Sequence, residues 1–149
     1  MKKLLTILLC IGLLFSFAAC SQSEPYSEDD LNYNNDDCRA NREQQDADMR
    51  PEIENAVENM ESYDIIFIGY PIWFGEEPRI TDTFMESYDF SGKTIINFCT
   101  SGGSGIDTST ENLKSLAGAD ADWRDGRRFQ GSSSDSDIDQ WISELNING

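Results

Sequence analysis

Two runs of apolar residues in the middle of the chain predict buried β-strands. Residues 64–70 read DIIFIGY and residues 93–99 read KTIINFC, and both are rich in β-branched side chains. Such near-continuous runs are typical of parallel strands that are covered on both faces. Pro71 ends the first run, and the Gly/Ser stretch 101–105 follows the second. Residues 123–130 are interpreted as a shorter third strand.

Apolar positions spaced by three and four residues predict helices around these strands. Pro51 suits a first helical position and precedes four apolar residues at helical spacing, Ile53, Ala56, Val57 and Met60. Residues 78–88 form a second helix, and Thr108 and Glu111 are spaced as a capping box for a third. The last helix begins near Ser136 and has one apolar face formed by Ile138, Trp141, Ile142 and Leu145.

This alternation indicates an α/β fold in which a parallel sheet is covered by helices on both faces. In such sheets, ligands bind beyond the carboxyl ends of the strands. The loops that follow residues 64–70 and 93–99 are therefore the places where a functional site is expected.

Composition restricts the classes of function. The 149 residues suffice for one domain, and 11 basic against 28 acidic residues give a formal charge of −17. Histidine is absent, which excludes Ser-His-Asp and Cys-His catalysis and His-containing metal sites. Because nucleic-acid binding depends on clustered basic side chains, the acidity argues against a nucleic-acid partner.

The N-terminus is interpreted as a lipoprotein signal peptide. Two lysines precede the apolar residues 4–17, a stretch too short to span a bilayer as an ordinary helix. The sequence FAAC at 17–20 is similar to a bacterial lipobox, in which the signal is cut before the cysteine and the thiol carries diacylglycerol. Cys20 would then anchor the chain on the outer face of a bacterial membrane. An ordinary secretory signal cut after Ala19 is the alternative.

The segment after the signal is strongly acidic. Residues 24–64 contain 14 acidic side chains and three arginines. Its polar part is interpreted as a solvated linker or long loop, with a short helix near residues 39–45. Of the cysteines that remain, Cys38 lies in this segment and Cys99 ends an apolar run. A disulfide between them is conceivable outside the cytoplasm, but two free or buried thiols are the favoured interpretation.

The two loops contain residue types that suit a flat aromatic ligand. Trp73 and Phe74 follow Pro71, and adjacent large aromatics are costly to leave in water unless something covers them. A stacked ligand would cover them; packing under the next helix as part of the core is the alternative. Residues 101–105 include three glycines, which allow backbone N–H groups to converge on the edge of a ligand, although a flexible turn is the plainer explanation.

Residues 63–73 resemble the third strand and first flavin loop of the flavodoxin family, in particular of short flavodoxin-like lipoproteins of bacteria. Pro78, residues 91–94 and residues 100–105 continue the resemblance in the same order, which covers roughly residues 26–149. It implies a doubly wound, three-layer α/β domain that binds FMN and transfers electrons.

The resemblance also implies roles for the two loops. Trp73 and Phe74 would flank the isoalloxazine ring, and residues 100–105 would contact its pyrimidine side and tune its potential through hydrogen bonds. The implied cofactor-binding residues are Pro71, Ile72, Trp73, Phe74, Thr100, Ser101, Gly102, Gly103, Ser104 and Gly105. The implied partners are the flavin and a redox protein or small-molecule acceptor, with the acidic surface steering a basic partner patch.

Two features of the family have no counterpart in the sequence. Residues 21–26 offer neither its first strand nor its Ser/Thr-rich loop for the FMN phosphate, so the fold is predicted to be incomplete at its N-terminal side and FMN affinity to be reduced. The strand at 65–69 would then lie at a sheet edge and could pair with another chain. The predicted organisation is a signal peptide (1–19), an acidic tether or loop (20–50) and a partial flavodoxin-like domain (51–149).

The leading interpretation is therefore a lipid-anchored, flavodoxin-like electron carrier or flavin-dependent oxidoreductase. A flavin-free interaction lipoprotein and a truncated remnant that has lost FMN binding are the alternatives. Arg127 and Arg128 are interpreted as a solvated turn, with a nicotinamide-phosphate contact as the alternative.

Overall fold

The structure is a computed structural model that describes residues 2–8, 26–32, 34–54 and 56–147. Strands and helices alternate along these ranges, apart from a 3-10 turn at Met60–Ser62 and two consecutive short strands near the C-terminus. In chain order, the elements are β1 (Leu4–Leu8), α1 (Arg39–Gln45), β2 (Ile65–Pro71), α2 (Arg79–Ser87), β3 (Thr94–Thr100), α3 (Asp107–Ala117), β4 (Asp122–Trp123), β5 (Arg127–Phe129) and α4 (Asp135–Glu144).

All strands belong to one parallel sheet, which confirms the predicted α/β class. The sheet runs from β1 through β2 to β3, and both β4 and β5 pair with β3. Pro71 at the end of β2 lies opposite Thr100 at the end of β3. The two loops singled out from the sequence therefore leave the sheet side by side at its carboxyl edge.

The prediction that the strand at 65–69 is an edge strand was wrong for this structure. Residues 4–8 pair in parallel with residues 65–69, so β2 lies inside the sheet. Leu5 and Ile7 face the core and are 6% and 0% exposed. Burial of these apolar side chains favours the strand conformation of this segment. While β1 is paired with β2, β2 has no open edge through which the predicted self-association could occur.

The same residues are predicted to be a signal peptide, which stays a prediction. Cys20 and the predicted cleavage site lie outside the described residues. Among those that are described, no helix combines the length and apolar character needed to cross a membrane.

Apolar side chains cover both faces of the sheet. The larger cluster joins the sheet to α2 and α3 through residues such as Ile66, Phe84 and Leu113. The smaller one lies under α4, where Trp141 packs edge-on against Phe67 with ring centroids 5.9 Å apart. Cys38 and Cys99 are both buried and free, as predicted.

The helix predicted after Pro51 was wrong. The described residues between 51 and 59 are not helical, although Ile53 and Val57 still pack against the larger cluster. The Val57 N–H donates to the hydroxyl of Tyr88 at 2.7 Å instead of to a carbonyl one helical turn back. Tertiary contact therefore replaces the local hydrogen bonds that the apolar spacing suggested.

The remaining helices follow the prediction with two differences at their surfaces. The α3 N-terminus has no side-chain cap, so the predicted Thr108–Glu111 capping box was wrong. A reciprocal capping box at α4 joins Ser134 and Asp137 instead. On α4, Ile138 and Ile142 are 38% and 39% exposed, so the apolar face is narrower than predicted.

Candidate functional site

One backbone hydrogen bond joins the two loops at the carboxyl edge, and another joins the second loop to β5. The Ile72 N–H donates to the Thr100 carbonyl oxygen at 2.9 Å, and the Ser101 N–H donates to the Phe129 carbonyl oxygen at 3.2 Å. The sequence-predicted residues 71–74 and 100–105 are thus brought together next to the end of β5.

The first loop is a tight turn that presents Phe74. Trp73 and Glu76 exchange backbone hydrogen bonds of 2.8 and 3.0 Å, and the two residues between them have positive φ angles, 50° at Phe74 and 96° at Gly75. This is the pattern of a type I′ turn, for which glycine at the second position is favourable. The ring of Phe74 is carried at the tip of this turn and is 51% exposed.

Trp73, by contrast, is part of the core. It is 2% exposed and packs in one cluster with Cys38 and Ala40. Tyr26 meets its ring edge-on with centroids 5.0 Å apart. The structure therefore favours the core alternative for Trp73, although the cover comes from the preceding acidic segment and not from the next helix.

The acidic segment 26–45 holds the first loop through Gln44. The Gln44 amide nitrogen donates to the carbonyl oxygen of Glu77 at 3.0 Å, and its amide oxygen accepts from the Arg79 N–H at 3.1 Å. Helix α1 lies at the predicted position, but it is a packed element and not part of a solvated linker. Sequence reasoning missed Gln44 because no local pattern distinguishes it from its polar neighbours.

The second loop is open. Gly102, Gly103, Ser104 and Gly105 are exposed, and a Cβ at Gly102 or Gly103 would meet no atom within 4 Å. Within the described chain, none of their four backbone N–H groups donates a hydrogen bond. The Ser101 hydroxyl donates to the Ser104 carbonyl oxygen and closes the base of the loop. These free donors can receive the acceptor edge of a planar ligand.

Arg128 lies against this loop as part of β5, so the interpretation of Arg127 and Arg128 as a turn was wrong. Its Nη1 donates to the Ser101 carbonyl oxygen at 3.1 Å. Its strand neighbour Cys99 is fully buried, and burial raises the pKa of that thiol to about 11 while the charge of Arg128 opposes the rise. Cys99 therefore stays a neutral thiol beneath the site at physiological pH.

A buried pair of carboxyl groups follows the first loop. Glu77 is 0% exposed, and burial raises its pKa to about 8, with a further contribution from the charge of Asp82. Burial also raises the pKa of Asp82, while Arg79 at 3.4 Å and Arg50 oppose this. Two adjacent carboxyl groups in a buried site share a proton more easily than they hold two charges. No local pattern along the chain indicates this pair.

A buried polar network supports the strands below the loops. The Asn97 amide nitrogen donates to the hydroxyl groups of Tyr70 and Thr110, each at 2.8 Å. The Tyr70 hydroxyl in turn donates to Ser109 at 2.9 Å, and burial raises the pKa of Tyr70 well above its ordinary value. This network fixes the ends of β2 and β3 relative to α3, and with them the starting points of both loops.

Comparison with known proteins identifies relatives with this architecture. The flavodoxin family model matches residues 17–145. The structure of a proposed flavoprotein from Bacteroides eggerthii DSM 20697 is 33% identical, with a TM-score of 0.80 and 98% of each chain covered. A proposed flavoprotein from Bacteroides uniformis ATCC 8492 is 30% identical, with a TM-score of 0.83 and coverage of 95% of this chain and 98% of that one.

A more distant likeness extends to a flavoprotein from Lactobacillus acidophilus NCFM whose structure was solved in complex with FMN. It is 24% identical and has a TM-score of 0.50, and the alignment covers 69% of this chain and 65% of that one. No curated protein in the comparison matches the chain. Because the family match spans most of the sequence and the Bacteroides structures align over nearly its full length, this chain belongs to the flavodoxin family.

Proposed function

We propose that the chain is a flavin-binding redox protein with FMN as its cofactor. The observation that carries the proposal is the open loop after β3, in which four consecutive N–H groups, those of residues 102–105, have no acceptor within the described part of the chain. The pyrimidine side of an isoalloxazine ring offers a row of acceptor atoms that such donors can bind.

The residues present fit the ring half of a flavin. Phe74 offers an exposed aromatic side chain on the first loop, and the Ile72–Thr100 hydrogen bond keeps that loop beside the donors of the second. The bound FMN of the Lactobacillus flavoprotein supports this choice of cofactor. The flavin supplies the electron-transfer chemistry, while this chain binds and orients the ring and excludes water from one edge.

Two features lower the expected affinity. Trp73 is buried in the cluster formed with Cys38 and Ala40, so Phe74 is the aromatic side chain that the loop offers to the ring. We also expect residues 21–26 to provide no phosphate-binding loop, and each charge-assisted hydrogen bond that is missing would cost about 1.5–3 kcal/mol. We therefore propose that most of the binding energy comes from the ring.

The location and partners belong to the same proposal. Cleavage before Cys20 and lipidation of its thiol would attach the protein to the outer face of a bacterial membrane. With a formal charge of −17, the surface favours a redox partner with a basic docking patch, and the association rate should fall as salt is raised.

A flavin-free interaction lipoprotein is the second candidate function. The burial of Trp73 favours it, because one of the two aromatics implied for stacking is 2% exposed. In that case the carboxyl edge of the sheet would be a protein surface without a cofactor.

Titration of the purified full chain with FMN and with riboflavin distinguishes the two candidates. Quenching of flavin fluorescence should saturate for both ligands, with similar dissociation constants if the ring dominates. Much tighter FMN binding would show that the chain has a phosphate site and would contradict the ring-dominated part of the proposal. A folded protein that binds neither flavin would support the interaction lipoprotein.

A further inference from the structure

Arg128 and its neighbour Arg127 contact different parts of the protein. Its guanidinium lies 3.1 Å from the Ser101 carbonyl oxygen and 3.5 Å from the Ser101 hydroxyl. No carboxylate of the described residues forms an ion pair with it. Arg127 pairs with Glu144 at 3.6 Å and lies over the ring of Phe129.

The alternation of side chains along β5 separates the two arginines. Arg128 is the strand partner of Cys99, whose side chain belongs to the cluster between the sheet and α3. Arg127 and Phe129 point to the opposite face, toward α4. Arg128 therefore contacts the glycine loop, whereas Arg127 contacts residues on the opposite face of the sheet.

Arg128 is thus a half-buried cation without an ion pair to any described carboxylate, in a chain with a formal charge of −17. The electrostatic potential around such a chain disfavours any ligand that acquires negative charge. A local guanidinium beside residues 101–105 offsets this at one place, and its hydrogen bond to a neutral carbonyl leaves the charge available to a ligand.

We propose that Arg128 positions the second loop and supplies positive charge to the pyrimidine edge of the flavin, so that the site favours the reduced, anionic form. The inference rests on the proposed function. When an external reductant delivers two electrons and water delivers one proton, the neutral oxidised ring becomes a hydroquinone anion whose charge lies on the pyrimidine side. Arg128 stabilises that anion and does not itself gain or lose a proton.

Substitutions at the two arginines separate charge from geometry. Arg128→Gln removes the charge and keeps an N–H donor for Ser101, Arg128→Lys keeps the charge, and Arg127→Gln is the matched control on the opposite face. Arg128→Met is a second neutral variant in case Arg128→Gln does not fold, and circular dichroism verifies folding of each.

The measurements are the dissociation constants of oxidised FMN and riboflavin, by fluorescence quenching, and the midpoint potentials of the bound flavins, by dithionite reduction against a reference dye. The neutral Arg128 variants should weaken reduced-flavin binding about three- to tenfold relative to oxidised-flavin binding, and so lower the potential. Arg128→Lys and Arg127→Gln should leave this ratio within about twofold of the wild type.

Three results would overturn the assignment of Arg128. These are an unchanged ratio in the neutral variants, an equal change in Arg127→Gln, and a loss confined to FMN, which would place the charge at the phosphate. If the wild-type chain binds no flavin in either redox state, the proposed function fails and this inference fails with it. Flavin binding with an unchanged ratio contradicts the role of Arg128 alone.

Discussion

The two loops at the carboxyl edge of the sheet differ in what holds them. The first is fixed from three sides, by its own tight turn, by the cluster around Trp73 and by Gln44 of α1. The second is closed at its base by Ser101 and Arg128, and its N–H groups have no acceptor among the described residues. One loop therefore contributes to stability, whereas the other is available to a ligand.

The largest effect on the free energy of unfolding is expected at Trp73, in the first loop. Trp73→Ala removes a large side chain that is 2% exposed and should lower the free energy of unfolding by about 3–5 kcal/mol. Phe74→Ala, one position along, is the control and should cost much less because its ring is half exposed. Urea unfolding measures both. Similar losses in the two variants would contradict the structural role of Trp73.

The buried carboxyl pair should make stability depend on pH. Glu77 keeps its proton in the folded state up to a pKa of about 8, against an ordinary value of 4.5. The folded state thus binds the extra proton between these values, so this contribution to stability is fully present below the ordinary pKa and is lost as the pH rises toward 8. The slope should be on the order of 1.4 kcal/mol per pH unit at most.

Glu77→Gln should flatten this dependence, because the amide can still donate to Asp82 and does not titrate. Glu76→Gln is the control, since Glu76 is partly exposed and pairs with Arg79 at 3.0 Å. Thermal melts from pH 5 to pH 8 provide the comparison. A wild-type melting temperature that rises across this range would contradict the assignment to Glu77.

The contact between α1 and the first loop is expected to be weaker. Gln44→Leu leaves the Glu77 carbonyl and the Arg79 N–H without their partner and should cost about 1–3 kcal/mol. Gln45→Leu tests the specificity, because Gln45 is exposed and its side chain bonds, among the described residues, to Asn41 of its own helix alone. Equal urea midpoints for these two variants would show that Gln44 does not hold the loop.

The smallest change in stability, with the clearest change in binding, is expected in the second loop. Gly103→Pro removes one N–H that has no acceptor among the described residues, and a Cβ at this position would meet no atom within 4 Å. Flavin affinity should fall about five- to tenfold, which corresponds to roughly one hydrogen bond, while stability changes by less than about 0.5 kcal/mol. Gly131→Pro, at another exposed glycine, should leave flavin titrations unchanged.

The contrast between the loops also shows what the sequence could predict. The continuous apolar runs identified β2 and β3, because burial on both faces leaves a strong compositional pattern. The same logic indicated the carboxyl-edge loops, since parallel strands end at one edge. Residue type alone, however, gave Trp73 and Phe74 the same interpretation, although one is buried and the other exposed.

The rest depended on contacts between distant segments. The cover over Trp73 comes from Tyr26 and α1, the raised pKa of Glu77 comes from burial and from Asp82, and Val57 donates to Tyr88 instead of forming a helix. Such contacts have no periodicity that a sequence displays. The pairing of residues 4–8 with β2 was missed for a different reason, because the same apolar pattern suits both a strand and a signal peptide.

An amide NMR spectrum of the isotope-labelled full chain, with and without riboflavin, tests most directly whether the second loop binds the flavin ring while the first stays fixed. We expect shifts concentrated at the N–H signals of residues 102–105 and near Phe74, while the Trp73 indole and α1 signals stay in place. Shifts of Trp73 and α1 without changes in residues 102–105 would contradict this expectation, because the fixed loop would then be the one that opens to bind the ring.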